Sequence, residues 1–188
     1  MRSAFAPLLA GAAIWWGVIG GVPGAAGAQG AVREAEVCPK PGQRSDVPEK
    51  RFAPYELPFR LPRRLGANVE YASAPFYAVV LLRERDPACD GGEYTRKVER
   101  LRRRAQGLFP ERKVFADHQC PDMGAVAYTM LDRPAAGRTG DSAAAEAFVA
   151  VYAGKTEAEA RAVLTKARAR FPGSTVRRMR VSYSRIVQ

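Results

Sequence analysis

The chain has 188 residues, with 30 Lys and Arg against 19 Asp and Glu, a net charge of +11 and a single His. One His and three Cys argue against a metal site, which needs three or four convergent ligands, and the positive balance points to anionic neighbours. The length allows one modest core plus a tail once a leader is set aside.

Arg2 is followed by an apolar stretch over residues 4–22, then Pro23 and a run of small residues. Ala26-Gly27-Ala28 fits the A-x-A rule for signal cleavage, which predicts a signal peptide over residues 1–28. The rival is an uncleaved anchor, weakened by the glycines and prolines within the stretch. Export places the mature chain in the periplasm or outside the cell. Its anionic neighbours there are lipid headgroups and cell-wall polymers rather than nucleic acid, unless the charge only keeps the domain soluble.

Residues 29–67 form a Pro-rich segment, punctuated by Pro39, Pro41, Pro48, Pro54, Pro58 and Pro62. Up to Lys50 it reads as a linker. RFAPYELPFRLPRRL, residues 51–65, is too apolar for a solvated tail and reads as an extended arm that packs on the domain.

Residues 68–188 carry an internal repeat. FYAV at 76–79 and FVAV at 148–151 each precede a charged amphipathic stretch, a Phe-Pro pair and a run containing Val. Period-2, period-3.6 and period-2 patterns in that order make one β-α-β unit. The first copy predicts a strand over 76–82, a helix over 93–108 and a strand over 113–118. Tyr94, Val98, Leu101, Ala105 and Leu108 form one helix face, and Phe109-Pro110 stops the helix. An additional strand is predicted over 125–131. The second copy predicts a strand over 148–153, a helix opened by a Thr156/Glu159 capping box, and a strand over 175–183. The predicted fold is α+β: a ferredoxin- or RNP-like β-α-β-β-α-β two-layer sandwich with an extra strand and a Pro-rich N-terminal arm.

An oxidising compartment favours a disulfide. Cys89 follows the first strand and Cys120 the second. These strands run in the same direction, so both cysteines emerge at one end of the sheet and are paired here. Cys38 is left over in the flexible segment.

Alternation along the strands assigns Tyr77, Val79, Leu81, Val149, Val151, Ala153, Met179 and Val181 to the helix side. Phe76, Ala78, Val80, Phe148, Ala150, Tyr152, Arg178 and Arg180 then share the other face. Aromatic rings beside arginines suit a sugar, with its flat apolar faces and acidic substituents. Alternatively, the arm covers this face and makes it a second core layer, as the apolar run AVVLL in the first strand suggests.

FVAVYAGKTEAEARAVLTKARARFPGSTVRRMRV, residues 148–181, resembles the second half of the SPOR (sporulation-related repeat) domain family. Gly154 after the strand, the helix run TEAEARAVL and the closing strand around Val181 carry the resemblance. It implies the same RNP-like fold and binding of peptidoglycan glycan strands across the open sheet face. The first copy departs from the family, with Leu82-Arg83-Glu84 where a Gly-containing turn is expected.

His118-Gln119-Cys120 suggests a metal or thiol site only weakly, and Asp117 and Asp122 read as turn residues. No nucleophile elbow, phosphate loop or glycosidase carboxylate pair stands out, so neither a catalytic residue nor a cofactor is expected. The leading expectation is an exported, non-catalytic SPOR-like module that contacts glycan through Phe148, Tyr152, Arg178 and Arg180. The alternative is an exported protein-interaction or structural domain whose sheet face is covered by its own arm. Its partners would be a cell-wall glycan or other anionic envelope polymer, or an envelope protein.

Overall fold

Nine elements follow one another in a computed structural model that describes residues 31–45, 47–85, 93–118, 126–132 and 146–184. They are β1 (Val32–Ala35), β2 (Glu70–Ser73), β3 (Phe76–Arg85), α1 (Glu93–Leu108), β4 (Val114–His118), β5 (Ala127–Met130), β6 (Glu146–Gly154), α2 (Glu157–Arg168) and β7 (Thr175–Ser184). The fold is α+β. Its seven strands form one curled mixed sheet in the order β1-β2-β7-β3-β6-β4, with β5 also on β7. β1 runs parallel to β2, and every other pair is antiparallel. Met179 faces Phe76 of β3 and also Met130 of β5, so β3 and β5 lie on opposite edges of β7.

Both helices have physical start or stop signals. α1 buries Val98 and Ala105 and packs Leu101 and Leu108 beside them. It ends at Phe109-Pro110, where Phe109 is buried. The Gln106 amide then spans the turn into β4, donating to the Phe109 and Arg112 carbonyls and accepting from the Val114 N–H. α2 opens with the expected capping box: Thr156 accepts from the Glu159 N–H, and Glu159 accepts from the Thr156 N–H. Gly154 turns the chain into this cap at φ 131°, where a Cβ would stand 2.6 Å from the Glu159 carboxyl carbon.

The sheet carries a core on each face. Val79, Leu81, Val149, Val151 and Ala153 meet the helices. Phe76, Ala78, Val80, Phe148, Ala150 and Tyr152 belong to the other core. These two strands therefore face as their alternation predicts. β7 does not: Met179, Val181 and Tyr183 join the Phe148 core rather than the helix side. The ladder shows why, because Met179 stands opposite Phe76, and opposed residues of an antiparallel pair share a face.

The arm covers the Phe148 face. Leu57 and Phe59 are fully buried there, and Leu65 packs with them. The segment before Lys50 differs from the linker reading. It contains β1, and Cys38 and Val47 are buried within it. Cys38 is anchored through its N–H to the Pro58 carbonyl at 2.8 Å. Cys89 and Cys120, and with them the predicted pairing, lie outside the described residues.

Candidate functional site

The face expected to bind ligand is built from stacked and edge-on aromatic rings. Phe115 stacks on Tyr128 at 5.2 Å between centroids, and Phe148 stands edge-on to both. Phe76 and Tyr152 extend the cluster at 5.4 Å. Such contacts add to the free energy of simple burial.

The arm is joined to this cluster by polar bonds as well as apolar contact. Tyr128 accepts a hydrogen bond from the Leu57 N–H at 2.8 Å. Its hydroxyl pKa is driven well above the usual phenol value by complete burial. Lys50 and Glu56 form an ion pair at 2.8 Å, with side chains only 12% and 9% exposed. The same ammonium lies over the Phe52 and Tyr183 rings at 5.2 and 5.6 Å, while the Ala53 N–H donates to Glu56 at 2.6 Å. The outer edge of β4 is occupied too. The Ala116 N–H donates to the Tyr55 carbonyl, the Lys113 N–H to Pro39, and the Lys113 ammonium to Pro54 at 2.7 Å. Partial burial, with the like charge of Arg102 second, pulls the Lys113 pKa down to about 8.

The four predicted contact residues are not brought together. Phe148 is 1% and Tyr152 7% exposed, beneath the arm. Arg178 and Arg180 are exposed, but they alternate with Met179 and Val181 and so emerge on the helix side of the sheet. The expected pairing of rings with guanidinium groups on one open face is therefore absent from these four residues. Burial of Met179 was read correctly, but its side was not. Tyr152 also lines a groove of about 500 Å³ together with Glu34, Glu36, Pro75 and Lys155.

The residues that organise this face escaped sequence reasoning. Lys50, Glu56 and Lys113 look like ordinary surface charges in the chain. The one usable signal was Glu56 itself, a carboxylate set between the apolar residues of the arm. Arg102 was also missed. It is 7% exposed on α1 and forks onto Glu99 with two 2.7 Å bonds, which holds the Glu99 carboxyl below its ordinary pKa. Among the described residues no three His, Cys, Asp or Glu side chains converge as a metal site, and no helix is long and apolar enough to cross a membrane. No family model, curated protein or solved structure matches the chain.

Proposed function

We propose that the chain is an exported, non-catalytic protein-interaction or structural domain whose sheet face is closed by its own N-terminal arm. The observation that carries this reading is the burial of Phe148 and Tyr152 under an arm that itself buries Leu57 and Phe59 completely. A glycan strand crossing that face would have to displace Leu57, Phe59 and the Lys50–Glu56 pair. The SPOR-like glycan reading is therefore the weaker one. For the fold we infer a divergent ferredoxin-like unit made of β3, α1, β4, β6, α2 and β7, enlarged by β1, β2 and β5. The order β7-β3-β6-β4 with antiparallel neighbours supports it.

Hydrogen exchange tests the closed face. The Leu57, Cys38 and Arg60 amides should exchange with the sheet amides of β3 and β6, as parts of one cooperative unit. Fast exchange of these three, typical of a free tail, would remove the basis of the proposal. Co-sedimentation with purified sacculi separates the two readings. Retention that vanishes in a folded Tyr152→Ala variant but persists in Arg180→Ala would restore a glycan site on the Tyr152 face.

A further inference from the structure

We propose that the outer ridge of α1, formed by Arg96, Arg100 and Arg104, is a docking surface for a linear phosphodiester polymer. This rests on reading the chain as an interaction domain, and it names a surface and a partner chemistry that the closed sheet face does not supply.

The argument begins with a contrast between the two helices. α2 places its charges where helix stability wants them. Glu157 and Glu159 stand in its first turn, Lys166 and Arg168 in its last, and Arg161 pairs with Glu157 at 2.6 Å. α1 follows that pattern less closely, although Glu93 opens it. Its last turn has no basic residue, and Arg96 stands in its first turn, at the positive end of the helix dipole. Arg96, Arg100 and Arg104 follow one another at i, i+4 and i+8, so like charges are stacked about 6 Å apart along the axis. All three are exposed, and none makes an ion pair or side-chain hydrogen bond among the described residues. Among the described side chains, Glu99 is engaged by Arg102 and Arg103, and Glu84 by Lys97. Gly107 continues the outer face, and a Cβ there would meet nothing within 4 Å. A helical glycine with empty space around it serves no packing need, and it leaves the end of the ridge open to close approach. The stacked arginines and the helical Gly107 each cost the helix stability, as functional surfaces do.

The chemistry selects the partner. The row is of guanidinium groups, whose forks take the two free oxygens of a phosphodiester. An even row along a convex ridge matches a thin chain with one charge per repeat. A lipid surface fits less well, because an interfacial helix needs a free apolar face. The apolar face of α1 is packed on the sheet.

The test uses the full chain and a synthetic abasic phosphodiester oligomer, with binding followed against salt. Three phosphate contacts predict a log–log salt slope of about −2, at roughly 0.7 per contact. The Arg96→Gln, Arg100→Gln, Arg104→Gln variant should bind at least about tenfold more weakly, with the slope flattened. Arg161→Gln, Arg168→Gln, Arg170→Gln, which removes equal charge from the α2 side, should bind like the parent. Equal loss in both variants would mean that only net charge matters and would overturn the proposal. So would equal binding of poly-glutamate or of phosphatidylglycerol vesicles by the parent. Exchange protection of the Leu57 amide, followed on the same variants, reports the closed face separately, so failure of the ridge is distinguishable from failure of the fold reading.

Discussion

The Lys50 ammonium sits 2.8 Å from the Glu56 carboxylate while lying over the Tyr183 ring of β7. One residue thus ties the arm to itself and to the sheet. Removing one member of this largely buried pair leaves the other charge with little access to water. Glu56→Ala should cost about 3–5 kcal/mol in chemical denaturation. The double variant Lys50→Met, Glu56→Gln should cost less than the sum of its singles, by about 0.5–3 kcal/mol. Strict additivity would show that the pair does not couple.

Lys113 makes stability depend on pH in a definite direction. Its pKa falls from 10.5 to about 8 on folding, so between these values the unfolded chain binds more protons. Stability should therefore rise with pH from about 8 upward, as the unfavourable charge is lost from the folded state. Burial of Tyr128 opposes this above about pH 10, where the unfolded phenol ionises first. Urea midpoints measured at pH 7.5 and 9.5, roughly spanning the lower part of that window, should differ more in the parent than in Lys113→Met. An unchanged difference would exclude Lys113 as the source.

The two sides of the sheet predict opposite mutational outcomes. Phe148→Ala should cost about 3–5 kcal/mol, because it opens a cavity beneath the arm. Arg178→Gln with Arg180→Gln should stay within about 0.5 kcal/mol of the parent. A large loss in the arginine variant would place those side chains against structure rather than solvent.

Two glycines should respond with opposite signs. Gly154→Ala forces a side chain onto φ 131° and into the Glu159 carboxyl group, and should destabilise by about 1–3 kcal/mol. Gly107→Ala fills open space on a helix and should stabilise by about 0.5–1 kcal/mol. Thermal melts of both variants give the signs directly.

Much of the secondary structure was legible because local chemistry specified it. α2 announces itself through Thr156 and Glu159, and α1 ends where Phe109 meets Pro110. β3 and β6 were assigned to the correct faces because Phe76 and Phe148 begin matching runs. β7 was turned over because alternation reports which residues share a side but not which layer that side meets. With an arm as apolar as the helices, Met179 and Val181 had two cores available. β1 and β2 were missed because four-residue strands carry too little period, and their pairing is decided by the distant chain segments they meet. The binding site was misplaced for the same reason. Rings suited to an open surface are equally suited to an interior, and only the path of residues 51–65 decides between them.

An unpaired strand at the rim of a sheet is a template for a second molecule. The carbonyls of Pro39 and Tyr55 fill that vacancy along β4. Shortening the chain from its N-terminal end past Tyr55 would bare both the ladder and the aromatic cluster beside it, so a trimmed fragment should self-associate into fibrils rather than persist as a smaller soluble unit.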